Sequence, residues 1–285
     1  MITPQEEYPK LAKALGLSAP LYFKREDLHP LGSHKGRSIP YMIEQHAKGG
    51  HRHFAISSSG NAALAAIMYI REYNEKFPEQ PLDLQIFVGE HVNTTKHEIL
   101  RHEARDNPKI QIIKCEKPKQ AVHILNKKGE AKSLRQSIDP LALIGYQSLV
   151  NELSELGEVN AIFVPTSSGT VAEALASHFP VHIVQTTKCH PIAEWLDAGR
   201  LTIEGDSLAD AIVDIVAPRK ESLSKLIRNG WIITNREIKN AIETTKDKTG
   251  LELSPNSALA VAGLIRALNR GWKPDNTIVC LITGR

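Results

Sequence analysis

The sequence predicts an α/β fold with mostly parallel sheets, and three features point there. Short β-rich runs alternate with helical stretches along almost all of the 285 residues. Most of those runs are continuously apolar rather than alternating, as strands covered on both faces are. Helix-start signals fall between them, at Thr234-Asn235 and at Ser254-Pro255, where a capping side chain or a first-turn proline is favoured. Such alternation favours right-handed β-α-β crossovers and parallel pairing.

In chain order, strands are expected at residues 21–24, 53–57, 84–88, 110–114, 161–164, 182–185, 231–234 and 277–282. Residues 61–71 are almost wholly apolar (AALAAIMYI), so their helix is expected to be buried. Helices at 236–245 and 258–268 follow the two start signals. Residues 51–128 read as a compact βαβαβα unit, and the polar stretch 127–139 after them is the best boundary candidate.

Composition narrows the function. Apolar residues make up 41% and charged residues 24%, ordinary values for a globular chain. Aromatics are only 5% and the net charge is +3, which disfavours a dedicated nucleic-acid protein. Lys109, Lys114, Lys117, Lys119, Lys127, Lys128, Lys132 and Arg135 crowd one stretch, and a solvated helical face explains them better than ligand steering. The three widely spaced cysteines suit reduced thiols. No apolar run approaches membrane-spanning length, and the first residues, MITPQEEYPK, carry acids where a secretory signal carries a basic head. The expectation is a soluble cytoplasmic protein with neither nucleic-acid nor membrane partners.

The chemistry centres on residues 31–38, LGSHKGRS. Lys35 stands among small residues, and a basic surface turn, a phosphate contact and a reaction-centre lysine are all open readings. No Gly-Lys-Ser/Thr is present, so the segment is not a Walker loop, and no G-x-G-x-x-G follows a strand. His97 and His102 are five apart on a helix and point to different faces, so no metal site is expected there. No G-x-S-x-G elbow occurs either. What remains is two small-residue loops beyond the carboxyl ends of expected strands, Ser57-Ser58-Ser59-Gly60-Asn61 and Pro165-Thr166-Ser167-Ser168-Gly169-Thr170. Backbone N–H groups in such loops face anionic ligands. A lysine beside an anion loop can form a Schiff base with a carbonyl, and pyridoxal phosphate offers both an aldehyde and a phosphate.

These residues resemble a known family. Tyr22-Phe23-Lys24-Arg25-Glu26-Asp27-Leu28 followed by Gly32-Ser33-His34-Lys35 is similar to the KRED and lysine segment of fold-type II pyridoxal phosphate enzymes, the tryptophan synthase β superfamily. Ser58-Ser59-Gly60-Asn61 resembles their asparagine loop, and Ser167-Ser168-Gly169-Thr170 stands where their phosphate loop belongs. Asp139-Pro140, Gly145-Tyr146-Gln147 and Glu152 resemble the segment before that loop. Glu252 to Ala258 resembles their late helix start, and Leu281-Ile282-Thr283-Gly284 their closing motif. The order of these landmarks is also the family's. The phosphate loop has one glycine where many members have three or four, and His34 and Gly36 together match no single member.

The resemblance implies a two-domain α/β fold, with a smaller inserted domain at 46–137 and a larger cofactor-binding domain made of 1–45 and 138–285. It implies pyridoxal 5′-phosphate as cofactor and Lys35 as the Schiff-base lysine and proton carrier. Asn61 would hydrogen-bond the cofactor's phenolic oxygen, while Ser58, Ser59, Gly60 and Asn61 would form the loop that takes the substrate carboxylate. Ser167, Ser168, Gly169 and Thr170 would hold the phosphate, and Thr283 would bond the pyridine nitrogen. A small amino-acid substrate and a homodimer are the family's habit. The implied activity is carbon–oxygen lyase or synthase chemistry, elimination or replacement at a β or γ position, threonine synthase-like first. A serine/threonine dehydratase-like deaminase is the alternative, and a non-catalytic cofactor-binding protein on the same fold is a rival.

Overall fold

The computed structural model describes residues 2–197, 205–227 and 229–284. Its strands are β1 (Gln5–Glu7), β2 (Leu21–Arg25), β3 (His53–Ser57), β4 (Asp83–Gly89), β5 (Ile110–Cys115), β6 (Lys132–Ser133), β7 (Val159–Pro165), β8 (Val181–Thr186), β9 (Asn229–Ile233) and β10 (Thr277–Ile282). Its α-helices are α1 (Pro9–Ala14), α2 (Lys35–Lys48), α3 (Asn61–Lys76), α4 (Thr94–Ala104), α5 (Pro118–Lys128), α6 (Leu141–Ile144), α7 (Gln147–Ser154), α8 (Thr170–Ala176), α9 (Lys220–Leu226), α10 (Asn235–Thr249) and α11 (Pro255–Asn269). Two compact units contain them: Pro30–Gly145, and Met1–His29 joined with Tyr146–Arg285.

In the unit Pro30–Gly145 a four-stranded parallel sheet runs in the order β5-β4-β3-β6. Alternate residues of β3 face opposite layers, which explains why its centre, Phe54-Ala55-Ile56, is continuously apolar. Phe54 and Ile56 pack with Met42 and Ile43 of α2, Ile67 and Ile70 of α3 and Leu100 of α4. Ala55 turns the other way, toward Val122 of α5. Helix α3 buries Ala63, Ala65, Ala66, Ile67 and Ile70, in line with its apolar sequence. Helix α2 is also tied by side chains: His46 Nε2 lies 2.8 Å from Asp139 Oδ2, and Gln136 Nε2 donates to Ser38 Oγ.

In the other unit a six-stranded sheet runs β1-β2-β10-β7-β8-β9, parallel except for β1 against β2. Helices cover both faces. Phe23, Phe163, Val184, Ile278 and Cys280 pack with buried residues of α1, α10 and α11. Ile162, Val164, Ile183, Val279 and Leu281 pack with buried residues of α7, α8 and α9. Burial on two faces produces the continuous apolar runs seen in the sequence. Helix α10 begins with a capping box, Thr234 Oγ1 accepting from Glu237 N at 3.2 Å while Glu237 Oε2 accepts from Thr234 N at 2.9 Å.

His182 of β8 is 2% exposed and lies between the rings of Phe163 and Trp272, at 4.5 and 4.9 Å between centroids. Its Nδ1 accepts from Trp231 Nε1 at 3.2 Å, so the neutral ring carries its proton on Nε2. Burial pushes its pKa down from 6.5 to about 4. The unfolded chain therefore takes up a proton between those values that the folded chain refuses, and stability falls as pH drops through that window. Denaturation titrations should lose about 3 kcal/mol from this group between neutral pH and pH near 4. His182→Gln should flatten that part of the slope; an unchanged slope would sink the assignment.

Candidate active site

In the unit Pro30–Gly145, Lys35 is the first residue of α2 and is half-buried. Its backbone N–H donates to Ser33 Oγ at 3.3 Å, so Ser33, fully buried, serves as a local cap at the helix start. Gly32 sits at φ +81 with nothing near the position a Cβ would take. Its glycine is thus required by the left-handed backbone turn, not by crowding. The chain reverses there and then enters the helix at Lys35.

The loop after β3 places Ser58, Ser59 and Gly60 ahead of Asn61, the first residue of α3. Gly60 N donates to Ser58 Oγ at 3.3 Å, which fixes the turn. All of residues 57–61 are half-buried. Ser59 also lines a crevice of about 430 Å³ with Gly89, His91, Asn93, Lys96 and Glu116. These residues follow or close β3, β4 and β5, so the crevice lies beyond the carboxyl ends of parallel strands, where α/β sheets take ligands.

In the other unit, the loop Thr166-Ser167-Ser168-Gly169 joins β7 to α8. Thr166 is buried and its hydroxyl donates back to the Val164 carbonyl at 2.7 Å. Ser168 Oγ and Thr170 Oγ1 are 3.0 Å apart. Gly169 has φ +86, and a Cβ on it would come within 2.6 Å of Leu223 Cδ1, so conformation and packing both demand glycine. Thr283 follows β10, which pairs in parallel with β7. The 166–170 loop and Thr283 therefore leave the carboxyl edge of neighbouring strands.

A clamp absent from the sequence reading fixes that end of β10. Ser254 Oγ and Ser257 Oγ both donate to the Gly284 carbonyl, at 2.9 and 2.7 Å, and Gly284 N donates to Ser257 Oγ at 3.3 Å. The start of α11 thereby holds Gly284 next to Thr283, which is itself buried. Cys280, three residues earlier, is fully buried, and burial pushes its thiol pKa far up. It stays protonated and has no nucleophilic role.

The structure groups Lys35 and residues 58–61 in one unit, and residues 167–170 and Thr283 in the other. The first unit offers an amine, an amide and hydroxyls, which suit a carbonyl and a carboxylate; the second offers hydroxyls and backbone N–H groups, which suit a phosphate. Hydroxyl donors at 168 and 170, a conformationally required glycine at 169 and a buried hydroxyl at 283 fit pyridoxal phosphate. Among the described residues, no group of His, Cys, Asp or Glu could hold a metal ion. No described helix is long and apolar enough to cross a membrane.

Comparison with known proteins bears on the family and the fold. The serine dehydratase-like protein of Mus musculus is 25% identical over 280 residues, covering 92% of this chain and 81% of that protein. Threonine synthase of Mycobacterium leprae is 22% identical over 307 residues, covering 99% of this chain and 80% of that protein. Among solved structures, maize serine racemase superposes with a TM-score of 0.83 at 16% identity, over 99% of this chain and 87% of that one. Threonine deaminase isoform 2 of Solanum lycopersicum gives a TM-score of 0.80 at 19% identity, over 99% of this chain and 78% of that one. A family model described as "Pyridoxal-phosphate dependent enzyme" matches residues 2–284. With the whole described chain inside that match and the fold shared, this protein belongs to the pyridoxal-phosphate dependent enzymes of fold type II, and its cofactor is pyridoxal 5′-phosphate.

Proposed function

We propose that the protein is a carbon–oxygen lyase or synthase, catalysing elimination or replacement at the β or γ position of a small hydroxy or phosphohydroxy amino acid. Threonine synthase-like chemistry comes first and serine/threonine dehydratase-like deamination second. Bound pyridoxal phosphate supplies an electron sink for charge that develops at the substrate Cα. Lys35 anchors the cofactor covalently and moves the proton at that carbon. Asn61 bonds the phenolic oxygen, and Ser58, Ser59 and the N–H groups about Gly60 receive the substrate carboxylate. Ser168, Gly169 and Thr170 hold the phosphate.

Thr283 carries the choice of reaction. It is a neutral hydroxyl, buried at the end of β10, where a carboxylate would hold a proton on the ring nitrogen. The weaker sink that results favours expulsion of a leaving group over long-lived charge at Cα. The similarity to proteins named serine dehydratase-like and threonine synthase supports the same reaction class. The smaller inserted domain, 46–137, would carry the carboxylate loop, and the larger domain, 1–45 with 138–285, would carry Lys35, the phosphate loop and Thr283.

A substrate screen tests this. Serine, threonine, their O-phospho and O-acetyl forms, and O-phosphohomoserine are supplied to the cofactor-loaded protein while α-keto acid, phosphate and threonine are followed. Threonine with phosphate from O-phosphohomoserine is the result expected of the first reading, and keto acid from serine or threonine of the second. Cofactor binding without turnover of any of these would establish the non-catalytic rival.

A further inference from the structure

On the reading of 166–170 as the phosphate loop, we propose that Ser167 and Asp214 form a latch. The latch positions that loop, and Ser167 is a positioning residue instead of a direct phosphate ligand. Ser167 Oγ accepts from the backbone N–H of Val213 at 3.1 Å and from that of Asp214 at 3.2 Å. It donates to Asp214 Oδ2 at 3.3 Å. A serine hydroxyl has one proton and two lone pairs, so these contacts saturate it. A phosphate seated on Ser167 Oγ would also lie against the Asp214 carboxylate, a like charge. Ser168 and Thr170, by contrast, bring their hydroxyls together on the other side of the loop's sequence, 3.0 Å apart.

The partner of the loop is a strap, residues 205–217. Its first half is secured elsewhere: Leu208 N donates to Asn235 Oδ1 at 2.8 Å, Ala211 N to Asn256 Oδ1 at 3.0 Å, and Asp206 pairs with Lys188 at 2.9 Å. Ala209 and Ile212 are buried. In its second half Ala217 packs against the core at the far end. Val213, Ile215 and Val216 are 57, 80 and 73% exposed, so burial does little to hold them, and the Ser167 bonds meet the strap at 213 and 214. Past the strap, Arg219 and Leu223 close on Gly169, whose missing Cβ leaves room for Leu223. The strap thus meets the loop at Ser167, and the segment just past the strap meets it at Gly169. In a phosphate loop with a single glycine, a fixed backbone keeps the N–H groups aimed, and the latch supplies that fixation.

The apo protein is titrated with pyridoxal phosphate and with pyridoxal, which has no phosphate. Ser167→Ala and Asp214→Ala should each weaken pyridoxal phosphate binding by about 10-fold, the scale of one lost hydrogen bond. Each should change pyridoxal binding by less than about 2-fold. The double variant should be no weaker than Ser167→Ala alone, because Ser167→Ala already removes the contact that Asp214→Ala removes. Asp214→Asn keeps an acceptor oxygen and should restore most of the affinity. Amide exchange at 213–216 should rise in both alanine variants. If Ser167→Ala weakens phosphate-dependent binding without raising amide exchange at 213–216, Ser167 is a direct ligand and the latch is refuted. Equal loss for pyridoxal also refutes it. The phosphate-loop reading fails separately, if a Ser168→Ala/Thr170→Ala variant keeps the full preference for pyridoxal phosphate over pyridoxal.

Discussion

Lys35→Ala should leave a folded protein that no longer links the cofactor covalently and turns over substrate about 10³-fold more slowly or worse. A positioned proton carrier alone contributes about 10²–10⁴-fold, and loss of the covalent anchor adds to that. The fold should tolerate the change, because Lys35 is half-buried at a helix start and its structural bond to Ser33 runs through the backbone N–H. Borohydride reduction of the wild-type protein with cofactor, followed by peptide mass spectrometry, should place the adduct on Lys35. Lys35→Arg keeps the positive charge but cannot form the link, and it should fail as alanine does. An adduct on any other lysine would overturn the assignment of the site.

The second large effect concerns stability and lies in the KRED segment. Lys24 is fully buried, donating to Glu152 Oε2 at 2.5 Å and to the Thr3 carbonyl at 2.8 Å. Thr3 in turn donates through its hydroxyl to Glu26 Oε1 at 2.5 Å and through its backbone N–H to Glu152 Oε2 at 3.2 Å. Glu26 is fully buried and Glu152 is 5% exposed. Lys24→Met removes the cation paired with the buried Glu152 carboxylate and should cost about 3–5 kcal/mol, because a buried charge deprived of its partner keeps its full desolvation penalty. Replacing Glu152 by leucine in the same variant should recover a good part of the loss. Urea unfolding midpoints decide the matter, and a single-variant cost below about 1 kcal/mol would show that the cluster is not energetically coupled. Part of the family resemblance at Lys24 and Glu26 is thus structural: those residues hold the N-terminal segment and α7 against the sheet that carries Thr283.

Most of the fold was legible because burial on two faces leaves a mark in one dimension. β3, β4, β7, β8 and β10 are largely apolar and mostly buried, and each falls where the sequence places a strand, within two residues at either end. The missed elements lack that mark. β1 is Gln-Glu-Glu at a sheet edge and β6 is only Lys132-Ser133, so pairing with a neighbour alone makes them strands. Helix α2 was missed for another reason. Gly36 and Pro40 are breakers by local propensity, yet Ile39, Met42 and Ile43 enter the core and override it. The resemblance starts the smaller domain at 46, a position that falls inside this helix.

By itself the sequence determined the α/β class, the family and the cofactor, since hydrophobic period and ordered motifs are properties of the chain alone. Tertiary structure decided what the hydroxyls do. Ser167, Ser168, Ser254 and Ser257 look alike in sequence, but one meets a strap 46 residues away and two hold Gly284. A hydroxyl's role is set by the groups folding brings within about 3 Å of it, and no local pattern encodes that company.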